Sequence, residues 1–272
     1  MAEARLAAVV DTDPRRCAEV APGVAAYPSV DALVAAGDVD AVVVATPVAA
    51  HVPAARAVAR AGLPALVEKP PAPDADGARE LAALRPAPWI GFNRRFLLAA
   101  AASRGREVAH LRVVLHYRRA SWRPVEVHDD ALLDLGPHAI DLVGWVGSPV
   151  RRVRATTLSH DRCELELDLA GGTASVSCAT DRLHRELVEA RDASGSLVAR
   201  DARGGMARAI VARLRPSTAH ALVDSLAAEL EAFCAAVRGG DPGALATAED
   251  GVAAMAAVDA ARRSGGAWVV PS

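Results

Sequence analysis

The sequence predicts an α/β protein with a parallel sheet in its first third and a largely antiparallel, open-faced sheet in the rest. Up to about residue 97, short runs that are apolar on both faces alternate with segments of helical periodicity. This alternation is typical of a parallel sheet covered by helices. Later strands instead alternate strictly between apolar and polar residues, as residues 163–169 do. We therefore expect two domains, residues 1–97 and residues 98–272.

Four strands and four helices are expected in the first domain. The strands are predicted at residues 5–10, 41–45, 65–67 and 89–92, and the helices at residues 15–20, 30–36, 51–60 and 76–84. Ser29 supplies the cap of the second helix, and Gly62 ends the third. A polar or charged residue follows each strand: Asp11, Thr46, Lys69 and Asn93. Ligands of parallel sheets bind at the carboxyl ends of the strands, so these residues are expected to line one crevice.

Lys69 is the only lysine among 31 basic residues. The composition otherwise uses arginine wherever positive charge is needed. An ammonium group can exchange its proton, whereas a guanidinium stays protonated. Lys69 is thus a candidate for proton or charge handling, the alternative being a lysine that persists by chance on a solvated loop.

The second domain is expected to contain five strands and three helices. The strands are predicted at residues 108–117, 163–169, 173–180, 186–191 and 197–200, and the helices at residues 131–146, 224–237 and 248–262. Gly171-Gly172 and Ser194-Gly195 mark hairpin turns. The polar face of this sheet is a natural surface for self-association.

Asp134, His138 and Asp141 fall near one face of the helix at residues 131–146, provided that Gly136-Pro137 does not break it. A carboxylate one turn from an imidazole fixes its tautomer and raises its basicity, as a general base requires. The alternatives are a helix N-terminus with a buried, satisfied histidine, and a metal site, for which H-x-x-D is a weak pattern.

Charge and cysteine content exclude several classes of function. The net charge is −2 and the arginines are scattered, which favours neither nucleic acid nor anionic membrane as a partner. The four cysteines are far apart and predict neither a zinc site nor a disulfide framework, so a reduced, cytoplasmic protein is expected. No apolar run approaches the ~20 residues of a membrane helix. Partners are expected to be a small-molecule substrate and further copies of the chain.

Several segments in order resemble the glucose-fructose oxidoreductase and inositol dehydrogenase family, Gfo/Idh/MocA. The matching pieces are D-A-V-V-V-A-T-P-V-A-A-H, A-G-L-P-A-L-V-E-K-P, G-F-N-R-R-F, S-W-R-P and L-L-D-L-G-P-H-A-I-D-L, followed by a closing pattern from Phe233 to Gly266. The E-K-P triplet alone is weak, but its combination with N-R-R-F and D-x-G-x-H-x-x-D is specific.

The resemblance implies a Rossmann-like first domain and an NAD(P)-dependent oxidoreductase acting on a sugar, cyclitol or related hydroxylated molecule. It places Lys69 between nicotinamide and substrate, lets His138 exchange the hydroxyl proton, and makes Asp134 its support. Asp11 matches the acid that binds the ribose hydroxyls and favours NAD over NADP, or else it caps a helix together with Asp13. The expected cofactor-binding residues are Asp11, Thr46, Pro47, Glu68 and Lys69. The expected substrate contacts are Asn93, Arg95, Arg123, His128 and Asp141.

One part of the family pattern is missing. The sequence contains no G-x-G-x-x-G, the turn that holds the cofactor's pyrophosphate, and only ten residues precede Asp11. We therefore expect an N-terminally truncated Rossmann-like sheet whose strands at residues 5–10 and 41–45 have unpaired edges unless they close up. Three explanations remain open: a longer natural protein, a cofactor-independent enzyme for proton transfer, elimination or cyclisation, and a non-catalytic binding subunit. His128, Asp129 and Asp130 also stand where relatives usually have glycines, which alters the substrate loop.

Overall fold

A computed structural model describes residues 4–97, 104–119, 129–204 and 221–272, with side chains from residue 224 in the last segment. Its first half contains five short strands and four helices. The strands are β1 (Ala8–Val10), β2 (Ala25–Tyr27), β3 (Val42–Val44), β4 (Ala65–Glu68) and β5 (Trp89–Gly91). The helices are α1 (Pro14–Val20), α2 (Val30–Ala36), α3 (His51–Arg60) and α4 (Ala75–Ala83).

Side-chain caps mark the start of two helices of this half, α2 and α4. The Ser29 hydroxyl accepts a hydrogen bond from the amide of Ala32 at 3.1 Å, and α2 ends at Gly37 in the left-handed conformation. The Asp74 carboxylate caps α4 through the amide of Gly77 at 2.9 Å. Local sequence therefore fixes where these helices begin.

The strands of the first half form two separate parallel sheets. One contains β1 and β2, and the other has the order β3-β4-β5. In the described part of the chain, β1 does not pair with β3, so the two strands do not close up. Val43, at the edge of β3, keeps 45% of its surface exposed. The strand β2 is absent from the sequence prediction because Ala25–Tyr27 is too short to show a period.

The second half is built on one six-stranded sheet. Its strands are β6 (His110–Arg118), β7 (Val150–Leu158), β8 (Arg162–Leu169), β9 (Gly172–Ala179), β10 (Asp181–Arg191) and β11 (Leu197–Gly204). Their order is β11-β10-β6-β9-β8-β7, and every neighbouring pair is antiparallel except β6 and β9. The mixed α/β fold class and the largely antiparallel second sheet are thus confirmed.

The inner face of this sheet packs against α5 (Ala131–Val146). In β8, the residues Cys163, Leu165, Leu167 and Leu169 are buried as their alternation predicts. The Gly136-Pro137 pair does not break α5, which is buried along most of its length. Burial by its neighbours offsets the backbone hydrogen bond that Pro137 cannot donate.

Two C-terminal helices join the halves: α6 (Ala221–Val237) and α7 (Ala248–Arg263). The amide of Ala75, at the start of α4, donates to the Asp259 carboxylate on α7 at 2.9 Å. Phe233 on α6 packs edge-on against Trp89 of β5, with ring centroids 5.9 Å apart. Within the described segments, no helix combines the length and the apolar character needed to cross a bilayer.

Candidate active site

Lys69 follows β4 and contacts Asp134 in the first turn of α5. Its ammonium donates to the Asp134 carboxylate at 3.0 Å and to the Asp134 backbone carbonyl at 2.9 Å. Both side chains are largely withdrawn from solvent, with 23% of Lys69 and 11% of Asp134 exposed. The structure therefore brings together Lys69, at the end of a strand of the first half, and Asp134, on a helix of the second half.

Asp134 also accepts hydrogen bonds from two residues that the sequence analysis did not single out. Its second oxygen accepts from the Tyr117 hydroxyl and, at 3.4 Å, from the Arg119 guanidinium. Burial raises the pKa of Asp134, but the Lys69 charge and the Tyr117 hydrogen bond outweigh it, and the net pKa lies below its ordinary value. Asp134 is therefore a carboxylate at neutral pH.

The structure contains no hydrogen bond between Asp134 and His138 among the described residues. Nδ1 of His138 is buried without a partner, whereas Asp134 accepts from Lys69, Tyr117 and Arg119. Burial and the charges of Arg94 and Lys69 lower the pKa of His138 well below its ordinary value, so its basicity is not raised. The imidazole is therefore neutral.

Tyr117 lies near the carboxyl end of β6. Burial and its contact with Asp134 raise the pKa of Tyr117 to about 12, so its hydroxyl is a donor at neutral pH. The sequence offered one signal for this residue, since it is one of only two tyrosines and ends a predicted strand. Nothing in the strand's alternation, however, indicates that its hydroxyl meets a carboxylate on a distant helix.

Three predicted substrate contacts are engaged within the protein. The Arg95 guanidinium binds both oxygens of Asp141, at 2.9 and 2.5 Å, and also reaches Asp250 at 3.2 Å. Asn93 donates to the Ser225 hydroxyl on α6 at 3.1 Å. Arg95 and Asp141 are buried and neutralise one another, which argues against their prediction as substrate ligands. They instead tie the end of β5 to α5 and α7.

Glu68 precedes Lys69 and lies close to a second acidic residue, Glu229. Its carboxylate accepts from the Lys69 amide at 3.3 Å, and a side chain at Gly91 would approach it to within 3.2 Å. Burial raises the pKa of Glu68. Burial and the nearby charge of Glu68 also raise the pKa of Glu229, on α6, to about 8. No sequence pattern singles out Glu229, because its position on an amphipathic helix does not reveal a buried acidic neighbour.

His51 connects the loops that follow β3 and β4. Its ring is 1% exposed, with Nδ1 2.9 Å from the Pro70 carbonyl oxygen and Nε2 2.7 Å from that of Thr46. Pro47 lies between Thr46 and a short 3₁₀ turn that leads into α3. The Thr46 hydroxyl is buried and has no hydrogen-bond partner among the described residues. One buried imidazole thus connects the backbone at Thr46 with the backbone at Pro70, the residue after Lys69.

Asp11 lies at the carboxyl end of β1, but Asp13 is the residue that caps α1. One Asp11 carboxylate oxygen accepts from the Asp13 amide at 2.8 Å and supports the turn before the helix. The other oxygen has no hydrogen-bond donor among the described residues. Arg123 and His128, the remaining predicted substrate contacts, lie outside the described residues. The described side chains also contain no group of three potential metal ligands.

Comparison with known proteins identifies one matching family model and several relatives. A family model, described as an oxidoreductase family with an NAD-binding Rossmann fold, matches residues 1–86. An inositol 2-dehydrogenase from Corynebacterium glutamicum (strain R) is 37% identical over 101 residues, 34% of this chain and 30% of the relative. The match thus spans less than two thirds of that relative's length. An inositol 2-dehydrogenase from Rhizobium meliloti is 27% identical over 302 residues, 97% of this chain and 90% of the relative.

The fold is shared with solved protein structures. GenD2 from gentamicin A biosynthesis, solved in complex with NAD, superposes with a TM-score of 0.81 at 24% identity. The superposition covers 98% of this chain and 89% of GenD2. At this identity the likeness establishes the architecture alone, and the chemistry rests on the site described above.

Proposed function

Because this chain belongs to the Gfo/Idh/MocA family, we propose that it is an oxidoreductase that transfers hydride between a nicotinamide cofactor and a hydroxylated small molecule. Sugars and cyclitols are the expected substrate class, since related proteins are named inositol 2-dehydrogenases. One observation carries the proposal. The Lys69 ammonium is fixed by Asp134 close to His138, a neutral imidazole with an unpartnered nitrogen.

The described residues fit two parts of a nicotinamide dinucleotide. The buried, unpartnered hydroxyl of Thr46 offers a polar contact beside Lys69, and the free oxygen of Asp11 suits a ribose hydroxyl. We assign no residue to the pyrophosphate, because the sequence contains no glycine-rich turn of the usual type. Pro47 and Glu68 complete the proposed cofactor side of the crevice. The cofactor supplies the hydride acceptor for an alcohol, or the donor for a ketone.

Lys69 and His138 divide the remaining chemistry between them. Oxidising a carbinol removes a hydride from carbon and a proton from oxygen. The Lys69 ammonium stabilises the negative charge that develops on that oxygen, and neutral His138 is the group assigned to accept the proton. In the reverse direction His138 returns the proton. Asp134 acts on Lys69, because its carboxylate binds that side chain and not the imidazole.

Binding and turnover by the 272-residue chain test this function. NADH and NADPH are titrated by calorimetry, and reduction of NAD and NADP is followed with myo-inositol and a panel of sugars. Binding below about 1 mM together with turnover supports the proposal. The loss of turnover in Lys69→Ala and in His138→Asn, with nucleotide binding retained, supports the two assigned roles. Failure of both nucleotides to bind would reject the redox function for this polypeptide.

Asp11 makes NAD the expected cofactor. Its free carboxylate oxygen accepts from ribose hydroxyls but repels the 2′-phosphate of NADP. Asp11→Asn should therefore reduce the preference for NADH over NADPH, whereas Asp13→Asn, which changes only the helix cap, should leave it unchanged. Equal affinity for both nucleotides in the natural chain would remove the role of Asp11.

We also propose that the chain self-associates through the open face of the six-stranded sheet. This face carries ion pairs of both signs, among them Arg152 with Asp168 at 2.8 Å and Arg154 with Glu166 at 2.6 Å. Such a face is polar yet self-complementary. Sedimentation velocity should find an oligomer that Arg154→Glu weakens, and a monomer at all concentrations would contradict the proposal.

A further inference from the structure

Tyr117 and Lys69 bind opposite oxygens of one carboxylate. Lys69 donates to Oδ1 of Asp134 at 3.0 Å, and the Tyr117 hydroxyl donates to Oδ2. The Tyr117 donor comes from β6, Asp134 from α5 and Lys69 from the end of β4. Three separate elements thus converge on one carboxyl group, which restricts its rotation more than either contact alone would.

The orientation of the Asp134 carboxylate determines whether it contacts Lys69 or His138. Asp134 precedes His138 by one helical turn, the spacing at which the two side chains are able to meet. They do not, and His138 Nδ1 remains unpartnered. Oδ2 instead accepts from Tyr117 and from Arg119, which together occupy both of its accepting positions.

We propose that Tyr117 is a positioning residue that holds the Asp134 carboxylate on Lys69 and away from His138. The ammonium is thereby kept at one place in the crevice, and the imidazole remains an unpaired proton acceptor. Arg119 assists at the same oxygen from 3.4 Å, but its distance makes it the weaker contact. This role rests on the function proposed for Lys69. The hydrogen bonds from Tyr117 and from Lys69 to Asp134 are nevertheless testable without any substrate.

Because the chain has a single lysine, NMR is able to report on the contact between Lys69 and Asp134 directly. Protein grown on lysine labelled with ¹³C at Cε, and carrying no lysine in its tag, gives one lysine NMR signal, that of Lys69. Because Lys69 contacts Asp134, protonation of Asp134 at acid pH should produce an inflection in that signal. Tryptophan fluorescence recorded in parallel separates this inflection from global unfolding.

Tyr117→Phe should move the inflection to higher pH by about one unit, the effect of losing one hydrogen bond to a buried carboxylate. Asp134→Asn should abolish it. Tyr27→Phe, which removes the other tyrosine hydroxyl of the chain, should leave it unchanged. If Tyr117→Phe does not fold, 3-fluorotyrosine incorporation replaces it: the fluorinated phenol is a stronger donor and should move the inflection to lower pH.

An unchanged inflection in Tyr117→Phe, or in the 3-fluorotyrosine protein, would overturn the role of Tyr117. If turnover with myo-inositol is found, the same substitution should lower kcat at least 10-fold with a smaller change in the KM for NAD, because Tyr117 acts on the reacting groups. An absence of turnover in the natural chain would count against the proposed function alone, since the NMR measurement needs no substrate.

Discussion

The ammonium of Lys69 contacts two oxygens of Asp134, one in the side chain at 3.0 Å and one in the backbone at 2.9 Å. A compact ammonium makes both contacts from one point, whereas a planar guanidinium is longer and carries its donors in a rigid fork. We therefore expect Lys69→Arg to fold, with an unfolding free energy within about 1 kcal/mol of the natural chain. Its kcat should nevertheless fall at least ~100-fold.

Urea unfolding and steady-state kinetics check this expectation. Lys69→Ala is the contrasting variant, because it leaves the largely buried Asp134 carboxylate without its cation. Its unfolding free energy should fall by about 1–3 kcal/mol. Full activity in Lys69→Arg would mean that positive charge alone suffices at this position.

The sequence predicts those parts of the site that lie at the ends of regular elements. Lys69 and Thr46 follow apolar strands, so the rule for parallel sheets places them at one edge. The helical spacing also places Asp134 and His138 one turn apart, but it does not reveal that the Tyr117 hydroxyl, on another element, donates to Asp134. Periodicity predicts which face of an element carries a side chain, but not which residue of another element forms a hydrogen bond with it.

The same reasoning explains why β7, like β2, is absent from the sequence prediction. The strand β7 carries Arg151, Arg152 and Arg154, and such a run suggests a solvated loop. Its regularity depends on partners in β8: Asp168 and Glu166 pair with Arg152 and Arg154. Such cross-strand pairs stabilise a sheet only after the register is set, and they are therefore invisible to local sequence.

Glu229 should make stability depend on pH. Burial and the charge of Glu68 raise the pKa of Glu229 to about 8 in the folded chain, against 4.5 for the free side chain. Between these values the folded state holds a proton that the unfolded state releases. The contribution of this group to stability is therefore most favourable below about pH 4.5 and is lost as the pH rises through 8.

Glu229→Gln keeps the shape of the side chain and removes its titration. Its unfolding free energy relative to the natural chain should increase between pH 5 and pH 9, by on the order of 3 kcal/mol. Urea unfolding at several pH values measures this difference. A constant difference across this range for Glu229→Gln would contradict the assignment.

The Arg95–Asp141 pair should hold the two halves of the chain together. Both side chains are buried, at 4% and 2% exposure, so removing either one leaves the other as an unpaired buried charge. We expect Arg95→Met and Asp141→Asn each to lower the unfolding free energy by about 3 kcal/mol, and the double variant to cost less than their sum. Arg152→Met, in a pair exposed at the surface, should cost less than about 1 kcal/mol. Additive losses in the double variant would show that the pair does not act as a unit.

His51 should be required for the geometry of the crevice as well as for stability. Its two ring nitrogens contact the carbonyl oxygens of Thr46 and Pro70, and the ring is almost fully buried. His51→Phe fills the same space but leaves both carbonyls without this contact, so we expect a loss of about 1–4 kcal/mol in urea unfolding. His110→Phe, the same exchange at an exposed position, should change stability by less than about 0.5 kcal/mol. The loops that follow β3 and β4 lie next to Lys69, so His51→Phe should also weaken NADH binding. Calorimetry on the folded variant in the absence of urea measures this affinity. Natural stability and natural affinity in this variant would show that the two loops hold their positions without the imidazole.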